Sequence, residues 1–271
     1  ATIKLDVEHG IADDQMQILP PNKETLADLY RECEFKRWLA EVLSGNDAPP
    51  PVGQTKAELE STASDEPANS VDIDRSQYQT ILTMQDWQTA LAEIKQAALI
   101  AVDTETTSLD YMEAELVGVS IAYRVEETIK ALYLPLAHDY PDAPVQLSLD
   151  AVKPSLDELL ADPNIKKVGQ NLKYDINVLA KYDLKLEGVI ADTMLQSYIF
   201  NSTASRHDMD SLSLKYLGHK CVSFEDIAGK GAKQLTFNQI ELEKAAEYAA
   251  EDADVTLRLY EYFQEKLAAQ P

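Results

Sequence analysis

Cysteine is almost absent. The 271 residues hold two, Cys33 and Cys221, far apart and outside any C-x-x-C spacing. That excludes a disulfide framework and a cysteine-based zinc site, and leaves both side chains as reduced thiols. The four histidines, His9, His138, His207 and His219, form no H-x-x-x-H pair and read as surface or core residues instead of ligands. No run approaches the roughly 18 apolar residues of a membrane span. The opening ATIKLDVEHG lacks the basic-then-apolar layout of a leader, so a cytoplasmic chain with no membrane partner is expected. No internal repeat is present. Basic residues are the other shortage: 24 Lys and Arg face 47 Asp and Glu, for a net charge of −23. A protein that grips duplex DNA by its phosphates normally carries a basic face. Charge alone therefore favours a solubilised interaction module.

With 45% hydrophobic residues the chain can bury a sizeable core, and one domain of about 200 residues accounts for most of it. Residues 1–45 offer a strand-like ATIKLDVE and a helical stretch, KETLADLYRECEFKRWLAEVL, whose Leu26, Leu29, Tyr30, Cys33 and Trp38 make an incomplete apolar face. Residues 46–73, rich in Pro, Ser, Ala and acids without periodicity, read as a flexible linker. From 74 to 271 strands and helices alternate. Three apolar runs, Leu99 to Val102, Leu116 to Ala122 and Ala131 to Leu136, are joined by short polar connections and predict an antiparallel meander. Helix-linked short strands follow, around Lys167 to Gly169 and in GVIAD.

Three stretches place acids where burial is expected. In AVDTETTSLD, Asp103 and Glu105 end a buried strand and, with a side-chain period of two, share one face. In NLKYDINVL, Leu172, Ile176 and Leu179 form a helical stripe with Asp175 on it. In YAAEDADVTL, Asp252 lies among Ala245, Tyr248, Val255 and Leu259 at helical spacing. Any one Asp alone is more often a cap or a solvated residue. An unpaired buried carboxylate costs several kcal/mol or takes up a proton, whereas four clustered around divalent cations stay ionised. All-oxygen ligation suits Mg²⁺ or Mn²⁺. Asp192 also ends an apolar run, but no second acid accompanies it and it reads as an N-cap. Thr236 and Gln239 form a T-x-x-Q capping box that is expected to open the terminal helix.

The strand D-x-E, helical N-x-x-x-D and helical Y-x-x-x-D, in that order, resemble the three exonuclease motifs of the 3′-to-5′ proofreading domain of bacterial DNA polymerase I. The resemblance runs almost continuously from Tyr78 to Leu259, through LAHDYPDAP, KVGQNLKYD, ADTMLQSYI, RHDMDSL, FEDIAGKG and LTFNQI. It implies an α/β ribonuclease H-like fold, a mixed sheet with an antiparallel meander and flanking helices, plus a small N-terminal strand and helix segment. It implies two divalent cations, Mg²⁺ first and Mn²⁺ or Zn²⁺ as alternatives. Asp103 would bridge both, Glu105 and Asp252 would complete the nucleophile side, and Asp175 would hold the leaving-group side. Tyr248, which marks the tyrosine subgroup of this family, would orient the attacking water. Its ordinary pKa of about 10 makes it a poor general base.

By the same resemblance Leu109 would wedge against the terminal base and Phe224 would pack on a neighbouring one, while Gln170, Asn171, Tyr174 and Arg206 would line the strand path. Lys230, between Gly229 and Gly231, fits a simple turn equally well. Residues 1–45, with FKRW, resemble the C-terminal end of the preceding 5′ nuclease domain. The chain starts on Ala1 without an initiator methionine, which points to a piece of a longer polypeptide. The implied partners are single-stranded or frayed DNA 3′ ends and the polymerase domain of the same polypeptide, in a bacterial, nucleoid-associated monomer. An RNA exonuclease like ribonuclease D, or a catalytically silent domain, are the alternatives.

Overall fold

The computed structural model describes residues 22–44, 71, 73–203 and 206–269. It divides into two compact units, 1–63 and 64–271. The strand expected at ATIKLDVE lies outside the described residues, as does most of the 46–73 segment.

In the first unit the expected single helix is two. Helix α1 (Lys23–Glu32) starts where the Asn22 side chain accepts a hydrogen bond from the Thr25 amide, and helix α2 spans Lys36–Ser44. Between them Glu34 takes a left-handed φ of 55°. The Phe35 amide donates to the Tyr30 carbonyl and the Glu34 amide to that of Arg31, the paired bonds of a Schellman stop. Tyr30 and Phe35 rings meet across it at 6.1 Å, with Trp38 at 4.9 Å from Phe35. The apolar periodicity continues through the break, which is why it predicts one helix.

The second unit is built on a six-stranded sheet in the order β1-β4-β3-β2-β5-β6. The strands are β1 (Tyr78–Thr80), β2 (Leu99–Thr106), β3 (Leu116–Val125), β4 (Thr128–Pro135), β5 (Lys166–Gly169) and β6 (Val189–Asp192). β2, β3 and β4 form the expected meander, and β5 and β6 add in parallel beside β2. β1 pairs in parallel with β4; three residues give too short a period to be read from sequence. Helices α3 (Met84–Ile94), α4 (Leu149–Ala161) and α5 (Leu172–Ala180) bring Trp87, Ile94, Leu156 and Val178 into a core with Ile100, Val102, Ile121 and Leu134. The opposite face of β2 carries Ala101 and receives α9 (Leu242–Ala268) through Ala250, Ala253 and Leu257. Small side chains there let helix and sheet approach closely. Three short helices, α6 (Thr193–Phe200), α7 (Met209–Leu212) and α8 (Phe224–Ala228), surround α9.

Val71 and Ile73, at the end of the segment expected as linker, pack against the cluster of Leu212, Tyr216, Val255 and Phe263, and the Val71 amide donates to the Leu217 carbonyl. The T-x-x-Q box also departs from expectation. Gln239 accepts from the Thr236 amide, but the box closes a single 3₁₀ turn over Phe237–Gln239, Ile240 is extended, and α9 begins two residues later.

Glu251 of α9 is wholly buried and gathers distant pieces of chain. Its oxygens accept from the Arg75 guanidinium at 2.5 and 3.1 Å, from the Val222 amide at 2.7 Å, and face His219 Nε2 at 3.0 Å. In β3, Gly118 lies under the Tyr133 ring, and a Cβ on it would meet the Tyr133 hydroxyl oxygen at 2.3 Å. The ring is fixed in turn by a 2.9 Å contact with His138 Nε2. Gly118→Ala is thus expected to lower stability by about 1–3 kcal/mol through overpacking. A denaturant titration matching the parent chain would mean that the ring moves aside freely.

Candidate active site

Along β2, Ile100, Val102 and Thr104 turn towards α5, while Ala101, Asp103 and Glu105 turn towards α9. The period of two thus puts both acids on the helix that carries Asp252. One carboxylate oxygen from each of Asp103, Glu105 and Asp252 lies within 4.8 Å of the other two. Glu105 and Asp252 are buried and Asp103 is partly open to solvent. Oε1 of Glu105 is buried with no hydrogen-bond partner.

Asp175 reaches the same place from α5. Its helical stripe differs from the expected one: Leu172, Asp175, Val178 and Leu179 are buried, and Ile176 is exposed. Asp175 takes the inner position expected of it, and its neighbour Ile176, also expected inside, faces out. Its Oδ1 accepts from the Thr104 amide at 3.0 Å and the Thr104 hydroxyl at 2.6 Å. Thr104 is a residue that acid spacing alone passes over.

Among the described residues none of the four acids forms an ion pair with Lys, Arg or His, although Arg75 sits on their neighbour Glu251. Burial pushes Asp103 up to about 7. Burial first, and then the charge of Asp103, also raise Glu105, Asp175 and Asp252 well above the carboxylate range. Hydrogen bonds from Thr104 to Asp175 and from Tyr248 to Asp252 oppose the rise. Tyr248, one turn before Asp252, is itself raised by burial and by the charges of Asp252, Glu105 and Asp103, so it remains a phenol at neutral pH.

Of the other expected residues, Phe224 meets Tyr248 and Tyr174 lies near enough to feel the charges of Asp175, Asp103 and Glu105. Leu109 is 97% exposed, on the turn after β2. That turn is pinned by the Tyr174 hydroxyl, which donates to the Ser108 carbonyl and contacts the Thr106 hydroxyl. Phe224 is half-buried against Phe237 and Tyr248, at ring distances of 6.4 and 6.1 Å. Phe237, buried behind Tyr248 at 6.0 Å, is a second residue that motif spacing misses. Asn171 starts α5 in a left-handed conformation, which asparagine tolerates. Gln170 has both amide ends engaged, Nε2 on the His207 carbonyl at 3.0 Å and Oε1 under the Thr193 hydroxyl. Arg206 is exposed and its Nε donates to Asp208 at 2.8 Å. Lys230 pairs with Glu225 at 2.6 Å.

Asp192 is a cap. Its carboxylate accepts from the amides of Met194 and Leu195 at the start of α6, and from those of Asn171 and Leu172 at the start of α5. A second set of metal-type side chains, His219, Cys221 and Glu251, also comes together, but both Glu251 oxygens are already taken by Arg75, Val222 and His219.

A model of the 3′-5′ exonuclease family, that of DNA polymerase A, matches residues 78–268. The chain belongs to this family. The body of this exonuclease is therefore a hydrolytic nuclease domain. The exonuclease chain is 50% identical to DNA polymerase I of Pseudomonas aeruginosa over 273 residues, which is 100% of this chain and 28% of that protein. It is 37% identical to DNA polymerase I of Rhizobium leguminosarum over 255 residues, 84% of this chain and 24% of that one. It thus spans about a quarter of the length of these relatives. Among solved structures it superposes on the Aedes aegypti Nibbler EXO domain with a TM-score of 0.53 at 14% identity, covering 74% of this chain and 93% of that one. The shared fold is the ribonuclease H-like one. No helix among the described residues is long and apolar enough to cross a membrane.

An oxygen-only donor set with an orphaned buried carboxylate oxygen fits the divalent cation that this family implies. Without metal, the raised acids bind more protons folded than unfolded, so stability is complete below the ordinary carboxylate range and is lost as pH rises through about 7, the value for Asp103. Chelator-treated protein is therefore expected to melt lower at pH 7.5 than at pH 5. Asp103→Asn is expected to flatten that slope. Equal slopes for the two proteins in thermal melts would refute the crowding.

Proposed function

We propose that this chain is the proofreading portion of a DNA polymerase I, hydrolysing the terminal phosphodiester of a single-stranded or frayed DNA 3′ end and releasing nucleoside monophosphates. The observation that carries the reading is the convergence of Asp103, Glu105 and Asp252, with Asp175 near enough to feel their charge and no counter-cation among the described residues, beside a neutral tyrosine. Identity to DNA polymerase I over the whole chain favours DNA over RNA. Asp103, Glu105, Asp175 and Asp252 are the ligands in this reading, for two ions, Mg²⁺ first and Mn²⁺ or Zn²⁺ as alternatives. Bound there, the ions acidify water and offset phosphate charge. Tyr248 orients the attacking water through its hydroxyl, and the surrounding Phe224 and Phe237 rings fix its direction.

Leu109, fully exposed yet anchored through Tyr174, is suited to press on a terminal base without discriminating among bases. The half-buried Phe224 offers a stacking surface. Asn171, Gln170, Tyr174 and Arg206 make the strand path, with Arg206 exchanging Asp208 for phosphate and Gln170 leaving its internal partners to reach DNA. We infer likewise that 1–45 is the C-terminal end of a 5′ nuclease domain, that 46–73 links it to the exonuclease body of 74–271, and that the whole works as a cytoplasmic monomer beside its own polymerase domain. Relatives that align over all of this chain, 1–45 included, support the placing of these segments within one such polypeptide.

The test is digestion of 3′-labelled single-stranded DNA and RNA of one sequence, with Mg²⁺ or with chelator. Metal-dependent loss of DNA ends, faster than RNA ends, is expected; faster RNA loss would favour a ribonuclease, and no loss a silent domain. Asp103→Ala or Asp175→Ala should lower the rate by about a thousandfold or more, since metal charge supplies several kcal/mol in the transition state. Tyr248→Phe should cost less and leave Mn²⁺ affinity unchanged.

With a net charge of −23 the chain should bind duplex weakly. Mispaired 3′ termini should therefore be digested faster than paired ones, because less pairing must be broken. Equal rates at fixed salt and metal would remove fraying as the control of access.

A further inference from the structure

We propose that Thr104 is a positioning residue that turns Asp175 into a one-oxygen ligand; this rests on the nuclease reading of the site. β2 is paired with β5 only as far as Ala101 and Val168. Beyond that point the Thr104 amide has no strand beside it on the β5 side, and a buried N–H needs an acceptor. Asp175 Oδ1 fills the gap at 3.0 Å. The Thr104 side chain, on the α5 face of the strand and 6% exposed, adds its hydroxyl to the same oxygen at 2.6 Å.

Two donors therefore saturate Oδ1, and Oδ2 takes no hydrogen bond from another described residue. The carboxylate plane is fixed by the strand that also carries Asp103 and Glu105. Any shift of β2 thus moves three acids together. An Asp on a helix terminus without this grip would rotate about its χ2 and could present either oxygen, or both, to a cation. Threonine provides the donor on a stiff, β-branched side chain, and serine would provide the same donor with more rotational freedom.

Thr104→Val keeps the shape and removes one donor, while Thr104→Ser keeps the donor. Mn²⁺ titrated by calorimetry into chelator-treated protein should show, in Thr104→Val, about tenfold weaker affinity in the binding step that Asp175→Ala removes, the scale of one hydrogen bond to a charged group. The other step should be unchanged. Cleavage of single-stranded DNA should lose a similar factor in kcat with KM unchanged, and Thr104→Ser should recover most of both. Parental Mn²⁺ binding by Thr104→Val, or equal damage in Thr104→Ser and Thr104→Val, would overturn the proposal. Normal cleavage by Asp175→Ala together with the weakened Mn²⁺ step in Thr104→Val would overturn the nuclease reading and support the positioning.

Discussion

Burial of four clustered carboxylates, Asp103 only in part, with repulsion among them added, is the constraint on which this exonuclease body depends. In an ordinary core such a group would be paired with a cation or protonated. Here Arg75 pairs instead with Glu251, the neighbour of Asp252 in sequence. The centre is left short of positive charge, and that deficit is what a metal-dependent site needs. The same deficit makes the empty arrangement unstable, so the surrounding frame must hold the acids in place against their own repulsion.

That frame is stiff for identifiable reasons. β2 lies inside the sheet, flanked by β3 and β5, and cannot bend away from either neighbour. α9 lies on it through alanines, with Glu251 tying the helix to residues 75, 219 and 222. On the other side α5 is held at its first turn by Asp192, which caps α6 as well. The acids of two helices and a strand are thereby fixed largely by contacts that involve none of them, the bonds from Thr104 to Asp175 and from Tyr248 to Asp252 excepted.

Most of this was legible where a short period repeats. Alternation along AVDTETT put Asp103 and Glu105 on one face, and the meander followed from three apolar runs. The stripe on α5 was right for Leu172, Asp175 and Leu179 and wrong for Ile176, because residues 175 and 176 are neighbours on the helix and hydrophobicity alone makes the isoleucine an inner residue. Glu34 could not be foreseen as a stop, since a glutamate at positive φ has no composition signal and the bonds that stabilise it are to main-chain carbonyls. The capping box was read correctly as chemistry but given to the wrong element: the terminal helix was expected from Phe237 and begins at Leu242, because nothing in T-x-x-Q says whether the turn it closes will continue as a helix. Phe237 carries no signal in the sequence beyond that of an ordinary aromatic, because only the fold brings it against Tyr248.

The turn after β2 shows water an almost bare leucine, with Tyr111 and Met112 also uncovered close by. An apolar tip of this kind invites copies of the protein to stick to one another. The surplus of acid, so unhelpful for holding nucleic acid, acts against that: like-charged particles keep their distance, and a net charge of −23 provides a long-range barrier to self-association. The acidity of the chain and the nakedness of Leu109 can thus be understood as one colloidal compromise, in which a sticky apolar tip stays exposed because its bearer repels its own kind.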